Sequence, residues 1–209
     1  MADSELNILN DRPDLRPIID LVEPESRVLD LGCGEGHLMN ALQKLKRVRA
    51  QGIDLSDAAI QSCVEKGLFV YQGDIEEGLA DFNDGSVDYV ILTDTIQVLR
   101  RPAFLLKEAA RVGKKVIVSV PNFGYWRVRL QLMFLGKMPR TRDLPYEWYD
   151  SPNIHLTTIQ SFREFCSRNG LRIIREADLV LGGPNPRKTA AHPNFFANYA
   201  IFIVENDSK

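Results

Sequence analysis

The sequence predicts an α/β fold, a largely parallel sheet with helices on both faces, and three observations carry that prediction. Short apolar runs alternate with segments of helical period along most of the 209 residues. The run Val28–Leu31 passes directly into the turn Gly32-Cys33-Gly34-Glu35-Gly36. Two later runs end in a glycine and an acid, as Gly52-Ile53-Asp54 and as Gly73-Asp74.

Taken in order, residues 13 to 22 form an amphipathic opening helix through Ile18, Ile19, Leu21 and Val22, stopped by Pro24. The first strand and its glycine turn follow, then a helix whose inner face carries Leu38, Leu42 and Leu45. A second strand closes at Asp54. The helix after it carries Ala59, Ile60, Cys63 and Val64, with Gly67 as its left-handed stop. A third strand ends at Gln72 and a fourth spans Val87 to Leu92. Phe104, Leu105, Ala109 and Val112 then recur at helical spacing until Gly113, and Val116 to Val120 make the fifth strand, bounded by Pro121. Thr157 and Gln160 have capping-box spacing ahead of a helix with Phe162, Phe165 and Cys166, closed by Gly170. The last two strands are Leu171 to Ile174 and Tyr199 to Val204, separated by a turn-rich loop, 182–186, that is too long for a tight hairpin.

A chain of this length suits one domain, residues 1–209, because a domain of about this size buries roughly 70% of its unfolded surface. Net charge is −2, so no global field draws in nucleic acid or an acidic membrane. The three cysteines, Cys33, Cys63 and Cys166, show no CxxC spacing; the expectation is no metal site, no disulfide frame and a reducing cytoplasm. Asp3, Glu5, Asp11 and Asp14 interrupt any leader-like apolar run, and no stretch reaches the roughly 20 apolar residues that span a bilayer.

A glycine turn after a strand also occurs in dinucleotide enzymes, so the charges around it decide the ligand class. Alternate glycines remove the Cβ atoms that would hold a ligand off the backbone, and they permit the φ values of a tight strand-to-helix turn. In a dinucleotide enzyme such a turn meets a pyrophosphate, and a carboxylate at Asp30 would set negative charge beside negative charge. S-adenosylmethionine carries an ammonium and a sulfonium instead, which Asp30 attracts directly or through water. Asp54, eighteen residues beyond Gly36, is placed to accept from both ribose hydroxyls. Asp74 is placed to accept from the adenine amino group, with Ile75 on the ring face; as isolated features, all three acids are also ordinary strand-end caps.

Glycine turn, ribose acid and adenine-side acid, in this order and spacing, resemble the class I S-adenosylmethionine-dependent methyltransferases. That resemblance implies a Rossmann-like, seven-stranded sheet with helices on both faces and the last strand antiparallel. It also implies S-adenosylmethionine, or S-adenosylhomocysteine, held by Asp30, Gly32, Cys33, Gly34, Gly36, Asp54, Leu55, Asp74, Ile75 and Thr93.

After the fifth strand comes an insertion at about 121–153 that holds both tryptophans, Trp126 and Trp148, with Tyr125, Tyr146 and Tyr149. It also carries Arg127, Arg129, Lys137, Arg140 and Arg142. Following a strand whose carboxyl end faces the crevice, it reads as a lid or a docking surface, or as a cap whose aromatics simply pack. Such a surface also stacks single-stranded RNA, but the slightly negative charge and the lack of a long basic run argue against nucleic acid.

Two stretches, Val120-Pro121-Asn122-Phe123-Gly124-Tyr125-Trp126-Arg127-Val128-Arg129-Leu130 and Leu144-Pro145-Tyr146-Glu147-Trp148-Tyr149-Asp150-Ser151-Pro152-Asn153-Ile154-His155-Leu156, resemble the methionine-biosynthesis family MetW. The likeness runs from about Arg12 to Val204. It implies a methyltransferase-like cytoplasmic protein that works with a homoserine O-acyltransferase. Tyr125 departs from the histidine of the family pattern and Thr157 from its cysteine, so neither position offers the chemistry of those groups here.

A sulfonium methyl is already activated, so a methyl-transferring protein mainly aligns the acceptor and removes a proton where needed. The candidate catalytic residues are Asp94 and His155, followed by Thr95 and His37. Each has a structural alternative: Asp94 and Thr95 as caps, His37 as a solvated first-turn residue, His155 as a brace. The fourth strand ends Leu92-Thr93-Asp94-Thr95, without the Asn-Pro-Pro-aromatic run of amino-methylating nucleic-acid enzymes, and no Pro-Cys pair offers a cytosine-attacking thiol. What remains is a small-molecule methyltransferase or a cofactor-binding partner protein.

Overall fold

Strand and helix alternate through the first half of the chain as α1 (Leu15–Leu21), β1 (Arg27–Leu31), α2 (His37–Lys46), β2 (Arg49–Asp54), α3 (Asp57–Glu65) and β3 (Phe69–Gln72). They are followed by β4 (Val87–Leu92), α4 (Pro102–Val112), β5 (Gly113–Pro121), α5 (Trp126–Leu135) and α6 (Ile159–Arg168). The chain finishes with β6 (Leu171–Val180), β7 (Arg187–Lys188), the short α7 (Pro193–Phe196) and β8 (Tyr199–Asn206). These elements come from a computed structural model that describes residues 15–141, 144–182, 186–189 and 191–207.

All eight strands join one sheet in the order β3-β2-β1-β4-β5-β8-β6-β7. The pairs β1–β2, β1–β4, β2–β3 and β4–β5 are parallel, whereas β8 runs antiparallel to both β5 and β6. The expected antiparallel last strand is therefore present. The strand count differs by one: Arg187 and Lys188 add a two-residue edge against Val180 and Leu179, too short and too polar to show as a strand in sequence.

Period-two alternation sorts the strands' side chains into two layers. Leu29, Leu31, Val90, Leu92, Val116 and Val118 pack with α4 and α6 on one face. Val28, Tyr89, Ile91, Ile117 and Ile201 pack with α1, α2 and α3 on the other. Burying both faces is what lets the parallel strands read as nearly unbroken apolar runs.

Local chemistry sets the helix ends. Ser56 caps α3 by accepting from the Ala59 N–H, Pro102 opens α4, and Gly67 and Gly170 stand at φ +70° and +68° beyond their helices. Four sequence expectations need correction. Leu45, Val64 and Phe104 are exposed, because α2, α3 and α4 bury narrower stripes than their apolar residues suggest. The cap of α6 is Thr158, whose Oγ1 accepts from the Ser161 N–H at 3.1 Å, one residue after the expected Thr157. Of the opening helix only residues from Leu15 onward, and of the 182–186 loop only its two ends, lie within the described residues. No helix among the described residues is long and apolar enough to cross a membrane.

Candidate functional site

The sheet order reverses between β1 and β4, the position where open α/β sheets leave a crevice at the carboxyl ends of their strands. The glycine turn, Asp54, the Asp74–Ile75 pair and Thr93–Asp94–Thr95 all follow the carboxyl ends of neighbouring strands, so the fold gathers them along one edge.

Hydrogen bonds hold the turn from below. The N–H groups of Gly32 and Cys33 donate to the Ile53 carbonyl at 2.8 and 3.2 Å, and the Gly36 N–H donates to the Cys33 carbonyl at 3.0 Å. Gly34 N–H donates to Asp54 Oδ2 at 2.8 Å, while Asp54 Oδ1 accepts from the Ser56 N–H at 2.9 Å. Each carboxylate oxygen of Asp54 thus keeps one acceptor site. The Cys63 thiol donates to the Gly34 carbonyl at 3.2 Å, and Lys66 Nζ to the Glu35 carbonyl.

The three glycines differ in what demands them. All have positive φ, +74°, +52° and +74° for Gly32, Gly34 and Gly36. At Gly36 a Cβ would lie 2.4 Å from Leu68 Cδ1 and 2.8 Å from Cys63 Sγ; at Gly32 it would meet Thr95 Oγ1 at 3.0 Å; at Gly34 nothing lies within 4 Å. Gly36 and Gly32 therefore serve close packing under the turn, and Gly34 leaves open space above it. Thr95, considered as a catalytic group, is a buried prop instead: its hydroxyl donates to the carbonyls of Leu31 and Thr93, both at 3.0 Å.

Asp30 lies buried beneath the turn at 2% exposure. Burial, and then the negative charge of Asp54, push its carboxyl up to about 7. Cys33 packs next to it, and burial raises the thiol far above its ordinary range. Along the edge, Leu55 is exposed, Ile75 half-buried, and Asp74 caps the turn at Ile75–Glu77 by accepting from the Glu76 N–H at 2.8 Å through Oδ1. A cleft of about 390 Å³ opens beside Asp74 and Ile75, with Ile53, Tyr71 and Phe82 in its walls.

At the end of β4, Asp94 adopts φ +53° and its N–H donates to Ser119 Oγ at 3.0 Å. The Tyr199 hydroxyl, 2.7 Å from Ser119 Oγ, donates to Asp94 Oδ1 at 2.7 Å. The Asp94 backbone is thereby held from β5 and its carboxylate from β8. Thr93 Oγ1 and Gln97 Oε1 are buried with no partner among the described residues. His155 stands on a different anchor, its N–H and that of Ile154 donating to the Gln97 carbonyl at 3.0 and 2.8 Å. Its exposed side chain borders a second cleft of about 330 Å³ with Ile96, Leu156, Phe162 and Phe165. His37 opens α2, with its ring 3.2 Å from Glu35.

Sequence reasoning missed Asn122, the buried residue that ties the insertion to the sheet. Its Nδ2 donates to the carbonyls of Ala197 at 2.7 Å and Asn194 at 3.2 Å, and its Oδ1 accepts from Gly124 at 2.9 Å and Ile159 at 3.3 Å. Beyond that hub α5 buries only Val128; Trp126 is half-buried, and Trp148 and Tyr149 are exposed. Tyr125 and Thr157 both stand beside this hub: the Tyr125 N–H donates to the Asn122 carbonyl, and the Thr157 carbonyl accepts from Phe123.

The bifunctional methionine biosynthesis protein MetXA/MetW of Rhodopirellula baltica is 28% identical over 217 residues, covering 100% of this chain and 34% of that protein. The chain spans about a third to a half of the length of the curated relatives it matches. Among solved structures, a SAM-dependent methyltransferase and possible histamine N-methyltransferase from Thermotoga maritima superposes with a TM-score of 0.69 at 18% identity, covering 95% of this chain and 89% of that one. Magnesium protoporphyrin IX methyltransferase from Synechocystis, with bound SAH, superposes at 0.63 and 16% identity over 94% and 83% of the two chains. These structures share the Rossmann-like methyltransferase fold. The profile of the family described as methionine biosynthesis protein MetW matches residues 12–204, nearly the whole sequence, and the chain belongs to that family.

Proposed function

We propose that this chain binds S-adenosylmethionine or S-adenosylhomocysteine along the carboxyl edge of its sheet and acts in methionine synthesis together with a homoserine O-acyltransferase. The cofactor part rests on the chemistry of the turn. Its N–H groups at Gly32, Cys33, Gly34 and Gly36 are spent on Ile53, Asp54 and Cys33, so they do not form an anion cradle for a pyrophosphate. The acids Asp30, Asp54 and Asp74 favour a cationic methionyl end and a ribose with free hydroxyls. Gly34 gives the ligand its closest approach, Asp54 retains an acceptor site on each oxygen for the ribose, and Leu55 and Ile75 flank the adenine. The cofactor, when bound, supplies an activated methyl group; the chain's part is to hold and orient it.

The partner role is carried by one observation, the relative that joins a MetXA and a MetW part in a single protein. Fusion holds two modules at high effective concentration, the arrangement expected where they act on one another. The chain works as one cytoplasmic domain in this reading, with 121–153 as its cap. Acyl transfer measured on purified homoserine O-acyltransferase from the same organism, with and without this chain, tests it: a rise in rate with a complex on gel filtration is expected, and no complex and no change in rate would sink it. A second reading, methyl transfer to a small acceptor, is favoured by the cleft at His155, where the walls are apolar and a single titratable side chain stands at the rim. Turnover of S-adenosylmethionine with a small acceptor and without the acyltransferase would establish that reading instead.

A further inference from the structure

The end of α5 carries an apolar surface that the chain itself leaves uncovered. Leu132, Met133, Phe134 and Leu135 are consecutive and expose 46, 66, 73 and 65% of their surface, so apolar groups project on every side of the last helical turn. Consecutive exposed apolar residues oppose solubility unless they have a use. Gly136 ends the helix in a left-handed conformation and turns the chain back. The Arg140 N–H then donates to Gln131 Oε1 at 3.1 Å and its guanidinium pairs with Glu147 at 2.5 Å. That relay ties the Trp148–Tyr149 turn to the middle of α5; Trp148 is 73% exposed and Tyr149 67%. The relay thus tethers the aromatic turn to the same helix whose end projects, and both leave their apolar side chains in solvent.

We infer that this projection is the surface that docks the homoserine O-acyltransferase, by inserting the end of α5 and Trp148 into an apolar groove of that enzyme rimmed with acidic side chains. The inference rests on the partner role proposed above. A projecting helix turn with apolar groups all round needs a concave partner, as in helix-in-groove recognition, and exposed aromatics are the usual centres of such interfaces. The exposed Lys137, directly after the helix end, leaves positive charge at the rim for acids to meet. Glu147 is already neutralised by Arg140, and Asp150 beside the aromatic pair disfavours an anionic lipid surface. Another exposed aromatic group, Phe69 and Tyr71 on the edge strand β3, already stacks edge-on with itself and with Phe82.

The test uses the full chain and the acyltransferase of the same organism, with affinity measured for wild type, Phe134→Glu, Trp148→Glu and Phe69→Glu. The first two should weaken the complex at least thirtyfold and the third should leave it unchanged. Thermal melting and cofactor binding should match wild type in Phe134→Glu and Trp148→Glu, since those side chains stand mostly in solvent. A complex indifferent to Phe134→Glu and Trp148→Glu overturns the docking surface and leaves the partner role standing; no wild-type complex overturns both. Loss of binding in Phe69→Glu alone moves docking to the β3 edge. If Phe134→Glu abolishes only self-association, or only co-sedimentation with phosphatidylglycerol vesicles, the occupant is a second copy or a membrane and the inference is wrong.

Discussion

The glycine turn and the end of α5 lie on the same chain and obey opposite rules. Beneath the turn, Cβ-free positions, a buried carboxyl and short hydrogen bonds to Ile53 and Asp54 leave little tolerance for change. At Met133–Leu135 the side chains are apolar and almost nothing of the fold touches them. The difference teaches that apolar character alone does not mark structural importance: in the turn, demand is set by backbone conformation and space, and on α5 by whatever covers it from outside.

The largest expected effect breaks the turn from within. Gly36→Ala forces a Cβ into Leu68 and Cys63 at φ +74°; left-handed backbone costs about 1–2 kcal/mol and overpacking about 1–3 kcal/mol. Urea unfolding should show a loss of roughly 2–5 kcal/mol. Gly34→Ala, with open space around it, should lose only the backbone part, and equal losses in the two variants would refute the packing explanation.

Next comes the buried acid under the turn. The Asp30 carboxyl is raised from 3.8 to about 7, so the folded chain holds a proton that the unfolded chain has already released between those values. Stability from this group is therefore full below about pH 4 and lost as pH rises toward 7, by an amount on the order of 4 kcal/mol. Comparing melting at pH 5 and pH 8 in wild type and Asp30→Asn isolates it, because Asp178, also raised to about 7 by burial, contributes equally to both. A variant with the same decline as wild type would show that Asp30 ionises normally. A bound ammonium favours the charged carboxylate, so cofactor affinity should rise through the same pH window.

Much of this edge was legible from sequence because its causes are local. A buried strand writes its period into adjacent residues, and a turn that needs positive φ selects glycine at fixed positions. What was not legible is set across distance. Asn122 draws together backbone from residues 124, 159, 194 and 197, and no local pattern announces that. Thr157 and Thr158 are chemically alike, and only the backbone decides which one caps α6. Composition showed that 121–153 is aromatic and basic, but not that Trp126 turns partly inward while Trp148 turns outward.

A smaller effect probes the ligand side of the turn. Asp54→Ala removes charge-assisted hydrogen bonds contributing about 1.5–3 kcal/mol each, so S-adenosylhomocysteine should bind tenfold or more weakly in calorimetry. The Gly34 and Ser56 N–H groups lose their acceptor as well, and a modest drop in melting temperature should accompany the loss. An unchanged affinity would place the ribose elsewhere along the edge.

The smallest effect is the one that most sharpens the contrast. Phe134→Gln removes a large aromatic side chain, a change that costs about 3–5 kcal/mol in a packed core when the residue becomes alanine. At 73% exposure Phe134 has little contact to lose, and glutamine is the better helix former, so the unfolding free energy should stay within about 0.5 kcal/mol of wild type. Solubility at high concentration should rise, since an exposed apolar group is gone. A drop of several degrees in melting temperature would mean that the end of α5 packs onto its own fold in solution, and the opposition between the two regions would fail at its exposed end.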